Sequence, residues 1–452
     1  MHPRLGPRLV IAGTHSGVGK TTVATGLMAA LRSRGLRVAP AKVGPDFIDP
    51  GYHALACGRP GRNLDPWMCG VGLMRPLAAR AASAADVLVV EGVMGLFDGA
   101  ADGTPSSTAD VAVLLDAPVV LVVDCSAQAG SVAALVHGFA TFEPRLNLAG
   151  VILNRLASSG HERMVRDALA AMHRPMPVLG ALQRDDRLAW RDRHLGLVPV
   201  AEHPAEVGAA LEVLAETMRR GCDLGAIEQV ARSAPTSTVE EPPAPKRSGV
   251  ARVALAAGKA FTFTYPDNAE ALTAAGAEIV EFDPLADAHL PERTDAMLVG
   301  GGFPEVLAEE LSANTPLLAD VRQHIRSGLR VWAECGGLLW LARSLDGHPM
   351  LGCVPAHGRM TERLSLGYRT AVCQRESPLG PAGTVMRGHE FHYSTVTPPG
   401  HALELRGVLG GGRGGFASPT LLASYLHVHL AGQPALAEAF VRCASTPYVY
   451  PT

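Results

Sequence analysis

Residues 9–31 place the strongest constraint on how this chain folds. The apolar run Leu9–Ala12 predicts a buried strand, and from Thr22 onward apolar residues recur at the spacing of a helix face. Between them lies a glycine-rich turn that ends in Gly19-Lys20-Thr21. Such a turn points backbone N–H groups and a helix N-terminus at an anion. The segment therefore predicts a phosphate-binding site.

The spacing of this loop indicates which nucleotide-binding residues to expect. Its first glycine is Gly13, one residue further from the lysine than in the common form, and the longer loop resembles the dethiobiotin synthetase branch of P-loop proteins. Lys20 is expected to reach the outer phosphates of ATP and Thr21 to hold Mg²⁺. The alternative is a glycine turn with an incidental lysine, which the flanking pattern disfavours. The residues predicted to bind the nucleotide here are Gly13, Ser16, Gly17, Gly19, Lys20, Thr21 and Thr22.

The rest of the chain divides into two α/β halves. Short Val/Leu/Ile runs alternate with amphipathic stretches over residues 8–182, which predicts a mainly parallel sheet covered on both faces. Proline, serine and charged residues dominate 233–249, which predicts a linker. A second α/β rhythm starts at Val250. We therefore expect one domain over 1–232 and another over 250–452.

Composition excludes several classes of function. The 452 residues carry a formal net charge of −3, which argues against general nucleic-acid affinity. None of the eight cysteines forms a CxxC pair, so neither a zinc ribbon nor a redox dithiol is supported. We find neither a secretory signal nor an apolar stretch long enough for a membrane span, and we expect a cytoplasmic enzyme.

Polar residues close several predicted strands of the first half, where ligands of parallel sheets bind. Lys42 ends the second strand and is expected to contact the nucleotide, and Glu91 closes Val87–Val90 beside the phosphate site. We predict Glu91, Thr21 and Asp46 as Mg²⁺ ligands. Asn154 closes another strand, and its two interpretations stay open: it reads the adenine edge, or it is an ordinary loop residue.

Two loops follow these strands. The glycines and prolines of residues 44–51 predict a structured loop rather than a helix, with Asp46 as a functional carboxylate and Asp49 as a simple loop cap. Residues 92–99 contain Asp98, the third carboxylate that we expect to act in the site.

The second half contains the pattern of a cysteine hydrolase. The strand Arg330–Ala333 runs into Glu334-Cys335-Gly336-Gly337, which predicts a nucleophile elbow that exposes the sulfur at a helix N-terminus and favours the thiolate. Amides near Gly302 and Gly336 are expected to hold an oxyanion. Residues 423–429 predict one strand that carries His427 and His429, candidates for the base. A buried structural cysteine is the alternative for Cys335. The run 389–392 is one residue too short for a zinc-binding HExxH motif, and we do not predict a metal there.

Together these motifs resemble the family of cobyrinic acid a,c-diamide synthases of cobalamin biosynthesis over the whole chain. The residues that carry the resemblance are the long P-loop 13–22 and the runs 42–53, 91–99, 301–305, 334–339, 388–392 and 424–429. A finer likeness, to members that use hydrogenobyrinic acid, lies in residues 58–66. The resemblance implies a P-loop NTPase-like domain with a parallel sheet, followed by a second α/β domain of the class I glutamine amidotransferase type.

The same resemblance implies a reaction. ATP phosphorylates the a and then the c side-chain carboxylate of a corrin ring, and ammonia released from L-glutamine displaces the phosphate. Cys335 is the implied nucleophile and His427 the implied base, while Asp46 and Asp98 orient the carboxylate or the ammonia. Class I amidotransferases carry Glu two residues after the base. Here that place holds His429, which leaves open which histidine acts and what orients it.

Two other functions remain as alternatives at this point. One is a P-loop ATPase of the partitioning or metal-insertion type, which the loop 13–22 alone does not exclude. The other keeps the chemistry but changes the ring, to cobyric acid or a nickel sirohydrochlorin. A homodimer is common for open α/β sheets, and nothing in the sequence decides it.

Overall fold

The computed structural model describes residues 3–185, 204–408 and 410–446. The chain forms two compact units, Met1–Pro242 and Pro243–Thr452, and the division falls within the predicted linker 233–249. No helix in the described ranges is long and apolar enough to cross a membrane.

The first unit is a parallel sheet with helices between its strands. Its described strands are β1 (Arg4–Leu5), β2 (Arg8–Gly13), β3 (Val38–Val43), β4 (Arg62–Leu64), β5 (Val87–Glu91), β6 (Val119–Asp124), β7 (Leu148–Leu156), β8 (Val178–Gln183) and β9 (Ser237–Thr238). Its described helices are α1 (Lys20–Ser33), α2 (Ile48–Cys57), α3 (Pro66–Cys69), α4 (Met74–Ala81), α5 (Thr108–Leu114), α6 (Ser131–Thr141), α7 (Ser159–Ala170), α8 (Pro204–Gly221) and α9 (Leu224–Arg232).

The order of these strands brings the predicted polar residues together. Within the described part, the sheet runs β4-β3-β5-β2-β6-β7-β8, and every neighbouring pair is parallel. The central strand β2 is buried along its whole length, as its apolar run predicts. Lys42 on β3 stands directly opposite Glu91 on β5, and Ile11 on β2 stands opposite Glu91 from the other side. The carboxyl ends of three adjacent strands thus frame one site.

The expectation of a helix-free loop over residues 44–51 is wrong. Helix α2 begins at Ile48, so Asp49 and Pro50 lie in its first turn. Proline is tolerated there because the first N–H groups of a helix have no partner within the helix. The Asp46 carboxylate accepts a hydrogen bond from the Ile48 N–H at 2.8 Å, which stabilises this helix start.

The described part of the second unit contains two sheets. Its described strands are β10 (Ala251–Ala256), β11 (Ala277–Phe282), β12 (Ala296–Val299), β13 (Arg330–Glu334), β14 (Ser344–Leu345), β15 (His348–Pro349), β16 (His357–Cys373), β17 (Val385–Thr397), β18 (Leu403–Gly407), β19 (Gly410–Gly414), β20 (Phe416–Ser418), β21 (Leu421–Ser424) and β22 (His427–Val428). Its described helices are α10 (Pro266–Ala275), α11 (Ala308–Ala313), α12 (Thr315–Arg326), α13 (Gly336–Leu341) and α14 (Pro434–Ala444).

The first of these sheets carries the predicted nucleophile at the end of β13. Its described strands follow the order β11-β10-β12-β13-β21-β20, parallel except for the β20–β21 pair. Alternate residues of β13 face opposite cores: Val331 and Ala333 pack in one, and Trp332 packs in the other against Phe440. Because both faces are covered, the strand end with Cys335 is held rigidly.

The prediction of one continuous strand over 423–429 is also wrong. Strand β21 ends at Ser424 in the parallel sheet, and β22 begins at His427 in the second sheet, paired with β17. The Ser424 carbonyl accepts the Cys335 N–H at 2.7 Å, so the chain leaves the first sheet beside the nucleophile. This change of sheet carries the His427 side chain back to the end of β13.

Candidate active sites

The glycine-rich loop after β2 forms a cradle around the Lys20 side chain. A Cβ atom on Gly13 would lie 2.8 Å from Cγ of Lys20, and Gly19 has a φ of +96°, which glycine adopts without strain. No side chain caps the N-terminus of α1, which begins at Lys20. The first N–H groups of this helix are therefore available to an anion, as the sequence predicts.

The charge of Lys20 is poorly compensated by its neighbours. Its ammonium donates to the His15 carbonyl at 3.2 Å. Burial, together with the nearby positive charge of Lys42, lowers the pKa of Lys20 to about 8. A buried ammonium that loses its proton this readily is a site that an anionic ligand stabilises. The environment of Lys20 thus fits a polyphosphate.

Lys42 has very different surroundings. Its ammonium lies 2.7 Å from Oδ2 of Asp49 and 3.1 Å from Oε1 of Glu91, and it donates to the Gly92 carbonyl at 2.9 Å. Burial alone would lower the pKa of Lys42, but the carboxylates of Asp49 and Glu91 raise it instead. Thr21 donates its hydroxyl to the same Glu91 oxygen at 2.7 Å. Two predicted nucleotide-site residues, Lys42 and Thr21, thus converge on Glu91.

Two residues of α2 that we did not predict as functional belong to this network. Asp49, expected to be a loop cap, pairs with Lys42, and burial is outweighed by that lysine, so the pKa of Asp49 is lowered. His53 lies with Nε2 2.6 Å from Oε2 of Glu91, and both side chains are fully buried. Asp49 and His53 are four residues apart in the sequence, a spacing that places both side chains on one face of a helix. This relationship is not visible when residues 44–51 are assigned to a loop.

Asp46 lies at the edge of the same network. Burial and the neighbouring Asp49 carboxylate raise the pKa of Asp46 well above its usual value. Asp46 and Asp49 therefore behave as a carboxyl pair in which Asp49 carries the charge, opposite Lys42. No group of three or more His, Cys, Asp or Glu side chains suited to a metal ion occurs among the residues that the structure describes.

The remaining predicted residues of the first unit occupy the surrounding loops. Asp98 is exposed, and its carboxylate accepts the Gly95 N–H at 2.8 Å. Asn154 packs on Gly19 and donates Nδ2 to the Val18 carbonyl at 2.9 Å. Asn154 therefore stabilises the phosphate loop, and its role at the adenine edge stays a prediction. Exposed positions on the same loop include Ser16 and Gly17, whereas Thr22 is half-buried.

Cys335 occupies a strained turn between β13 and α13. Its φ of 49° and ψ of −101° are rare for a residue other than glycine, and such strain is typical of a nucleophile elbow. The side chain is buried, and Sγ lies 3.9 Å from the Phe391 carbonyl oxygen. The predicted elbow is therefore present in the backbone geometry.

His427 is the imidazole that faces this thiol. The ring is buried, and Nδ1 lies 3.7 Å from Oε2 of Glu334. Burial alone would lower the pKa of His427, but its contacts with Cys335 and Glu334 raise it to about 10. An imidazolium next to a thiolate is the activated form of a cysteine nucleophile.

The glycines predicted to hold an oxyanion lie against each other. A Cβ atom on Gly336 would lie 3.1 Å from the amide nitrogen of Gly302 and 3.0 Å from Cδ of Pro304. Gly336 opens α13, so its own N–H has no acceptor within the helix. The space between the two amides is therefore open only while residue 336 lacks a side chain.

His429 lies in a different environment from His427. Its ring is fully buried and stacks on Tyr265 with ring centroids 4.6 Å apart, and Nε2 lies 3.9 Å from Oδ2 of Asp267. Asn268 fixes the backbone around it, because its amide donates to the Val428 carbonyl at 2.7 Å and accepts from the Leu430 N–H at 2.8 Å. The contacts of His429 are thus with α10, not with the thiol.

Strand β17 passes the thiol with the residues that superficially resemble a zinc motif. Glu390 pairs with Arg369 at 2.9 Å, and His392 stacks on Tyr425 with ring centroids 3.6 Å apart. Burial is the main reason that the pKa values of His389 and His392 fall to about 3 and 4. Neighbouring residues alternate sides along a strand, so His389 and His392 lie on opposite faces.

Each of the two units is similar to a different known protein domain. The family described as the CobQ/CobB/MinD/ParA nucleotide binding domain matches residues 9–197, and the CobB/CobQ-like glutamine amidotransferase domain matches 252–435. A hydrogenobyrinate a,c-diamide synthase of Streptomyces coelicolor is 50% identical over 97% of this chain and 98% of its own length. The enzyme of that name from Thermobifida fusca is 49% identical over 97% of each chain. A cobyrinate a,c-diamide synthase of Syntrophotalea carbinolica is 44% identical over 96% of this chain and 98% of its own.

Proposed function

Because this chain belongs to the family of hydrogenobyrinate and cobyrinate a,c-diamide synthases, we propose that it amidates the a and c side-chain carboxylates of hydrogenobyrinic or cobyrinic acid. It is a carbon–nitrogen ligase of cobalamin biosynthesis that takes nitrogen from glutamine through its amidotransferase domain. ATP is the nucleotide that we assign to the cradle of the first unit. The single observation that carries the proposal is that one chain contains both a phosphate cradle at Lys20 and a thiol–imidazole pair at Cys335.

The second unit supplies the ammonia. The Cys335 thiol gives its proton to His427, and the thiolate attacks the carboxamide carbon of glutamine, while the amides of Gly302 and Gly336 stabilise the oxyanion. The His427 imidazolium then returns the proton to the leaving nitrogen, which departs as ammonia and leaves a glutamyl thioester. Water hydrolyses the thioester to glutamate and regenerates the thiol.

The first unit activates the carboxylate. A corrin carboxylate oxygen attacks the γ-phosphorus of ATP, the bond to ADP breaks, and an acyl phosphate forms. Lys20 and the N-terminus of α1 stabilise the negative charge that moves to the β,γ-bridging oxygen. Ammonia then attacks the acyl carbon, phosphate leaves, and one proton is released as the amide forms.

The oxygen atoms at the end of β5 fit a magnesium ion. Thr21 and Glu91 present a hydroxyl and a carboxylate 2.7 Å apart beside the cradle, and Mg²⁺ ordinarily completes its shell with phosphate and water rather than with many protein ligands. Asp46 is the third residue that we propose for this ion, and it would bind Mg²⁺ only after losing the proton that its raised pKa favours. When bound, Mg²⁺ supplies positive charge to the transferring phosphate. Lys42 and His53 hold Glu91 in position from the other side.

Asp46 and Asp98 are the carboxylates that we assign to substrate orientation. Asp98 is exposed on the loop that follows Glu91, where an incoming corrin side chain or ammonia can reach its carboxylate. Asp46 precedes α2 and adjoins the charged Asp49. Its raised pKa supports a role in which the protonated carboxyl group donates a hydrogen bond that orients the substrate carboxylate or the incoming ammonia.

The test is a comparison of rings. The enzyme is incubated with ATP, Mg²⁺ and glutamine, and with hydrogenobyrinic acid, cobyrinic acid or sirohydrochlorin, and amide products are counted by mass spectrometry. Two added amides on a corrin dicarboxylate, with ATP hydrolysis that depends on the corrinoid, are expected. Corrinoid-independent ATP hydrolysis without product contradicts the ligase and favours a P-loop switch ATPase, and product from sirohydrochlorin alone contradicts the assigned ring.

Location and assembly complete the proposal. All eight cysteines of the chain are free, which suits a reducing cytoplasm. We assign the enzyme to the cytoplasm and propose that it forms a homodimer. Light scattering coupled to size-exclusion chromatography measures the assembly directly: a mass of twice 47.2 kDa supports the dimer, and a mass near 47.2 kDa contradicts it.

A further inference from the structure

Glu334 ends strand β13 immediately before the nucleophile, and its carboxylate is buried beside His427. Oε2 of Glu334 lies 3.7 Å from Nδ1 of His427, and the two side chains are 4% and 2% exposed. Glu334 is in register with Ser424 on the neighbouring strand, three residues before His427. The parallel pairing of β13 and β21 thus fixes this proximity through the backbone.

The second oxygen of Glu334 is also engaged. Oε1 accepts the N–H of Val428 at 3.0 Å, so the carboxylate bridges the imidazole and the backbone of the next residue. On another side of the imidazole, a Cβ atom on Gly301 would lie 2.5 Å from Cε1 of His427. The ring therefore packs directly on the Gly301 backbone, with Nδ1 toward Glu334.

The position where an orienting carboxylate was expected is two residues after the base, and it holds His429. That ring stacks on Tyr265 and lies near Asp267, and the backbone on both sides of it is held by Asn268. These contacts give His429 a packing role within the core of the second unit.

We propose that Glu334, the residue directly before the nucleophile, is the positioning residue of the glutaminase site and replaces the carboxylate expected two residues after the base. This inference rests on the proposed glutamine-dependent function. Glu334 holds the Nδ1–H tautomer of His427, which leaves the other ring nitrogen to take the Cys335 proton. Burial raises the pKa of Glu334, and its contacts with His427 and the Val428 N–H offset part of that rise. The reacting proton moves between sulfur, imidazole and the leaving ammonia.

The charged groups around His427 determine which measured properties would change when Glu334 is replaced. The thiolate of Cys335 and the carboxylate of Glu334 favour the imidazolium, and burial opposes it. On β17, His389 lies across from His427, and burial raises the pKa of Glu390, which Arg369 and the His427 imidazolium offset in part. The other charged or titratable groups near this site are Arg369, His392, Tyr425 and Glu305. The replacement of Glu334 by Gln leaves all four of these side chains in place.

The test is Glu334→Gln in the full chain, with three measurements. Glutamine hydrolysis should lose at least about tenfold in kcat while the KM for glutamine stays within about twofold, since the contact is to the base and not to the substrate. The alkaline limb of the pH profile of kcat/KM should move about one to three units lower, because the imidazolium loses a neighbouring negative charge. Alkylation of Cys335 by iodoacetamide at pH 7 should slow by about tenfold or more.

Companion variants exclude a merely structural effect. Glu334→Asp keeps the charge, so its alkaline limb should stay near that of the wild type even if its kcat falls. Glu309→Gln, at an exposed position of α11, is the matched control and should change none of the three readouts. His429→Asn is the rival variant and should leave the alkaline limb in place.

The outcomes separate this inference from the proposed function. Wild-type protein that does not hydrolyse glutamine contradicts the proposed function itself. Wild-type hydrolysis with an unshifted alkaline limb and unchanged alkylation in Glu334→Gln overturns the role of Glu334. A shift produced by His429→Asn instead of Glu334→Gln also overturns it and assigns the role to His429.

Discussion

Lys42 and Glu91 stand directly opposite each other on neighbouring parallel strands, with the ammonium 3.1 Å from the carboxylate oxygen. Asp49 adds a second carboxylate 2.7 Å from the same ammonium. The positive charge of Lys42 is therefore compensated before any nucleotide arrives, whereas nearby carboxylates compensate that of Lys20 only in part. We infer that the two lysines have different roles: Lys20 binds the phosphates, and Lys42 holds the carboxylates of Asp49 and Glu91 in place.

The first prediction concerns the stability of this arrangement. Lys42→Met should lower the free energy of unfolding of the first unit by about 3 to 5 kcal/mol, because it leaves the buried Glu91 and the half-buried Asp49 without their cation. Urea denaturation followed by circular dichroism measures the loss, and the transition that shifts with added nucleotide identifies the first unit. A double variant with Glu91→Gln should lose less than the sum of the two single variants. Additive losses would show that the pair is not coupled.

The second prediction separates the two chemistries. Cys335→Ser should abolish amidation supported by glutamine and leave amidation supported by ammonium salts near the wild-type rate, since the thiol acts only on glutamine. Cys353→Ser, at a half-buried cysteine elsewhere in the second unit, is the control and should retain both activities. Loss of both activities in a folded Cys335→Ser protein contradicts a separate glutaminase site.

The third prediction concerns the oxyanion site. Gly336→Ala should lower kcat for glutamine hydrolysis by about 10²-fold to 10³-fold, because the added methyl group enters the space between residue 336 and the Gly302 amide. Gly412→Ala is the matched control, since a Cβ atom there meets nothing within 4 Å. Near-normal hydrolysis by Gly336→Ala would place the oxyanion elsewhere.

The sequence predicts the architecture well where local and global signals agree. The strand–glycine–helix pattern at residues 9–31 gives β2 and α1 within one or two residues, and β5 spans Val87–Glu91 as predicted. The α/β class and the family resemblance are confirmed. These elements are fixed by apolar periodicity and by a motif with few physical interpretations, so tertiary context has little to change.

The sequence predictions are wrong where a long-range contact overrides a local sequence pattern. The prolines and glycines of 44–51 predict a loop, yet α2 starts inside them because Asp46 caps Ile48 and Asp49 pairs with Lys42. The two histidines were assigned to one strand because nothing local marks the change of sheet after Ser424. The proximity of Glu334 to His427 depends on strand order, which a single sequence does not display.

The last prediction uses the pKa of Lys20. Burial and the charge of Lys42 lower it to about 8 in the free protein, and a polyphosphate binds the protonated form. Affinity for a non-hydrolysable ATP analogue should therefore be nearly constant below about pH 7.5 and should weaken by up to about tenfold per pH unit above 8, since binding must then also take up a proton. Isothermal titration calorimetry between pH 7 and 9.5 in buffers of different ionisation enthalpy measures both the affinity and the proton uptake.

Lys20→Arg tests the assignment, because a guanidinium stays charged over this whole range. The affinity of this variant for the ATP analogue at pH 7 reports the altered geometry. That affinity should not change between pH 7 and 9.5, and the proton uptake on binding should be close to zero. Lys259→Arg, exposed in the second unit, should keep the wild-type slope. A wild-type profile without a break near pH 8, or the same break in Lys20→Arg, would show that another group titrates and that Lys20 does not meet the phosphates. A break near pH 8 would distinguish Lys20 from Lys42. The carboxylate partners of Lys42 keep that lysine protonated with or without nucleotide.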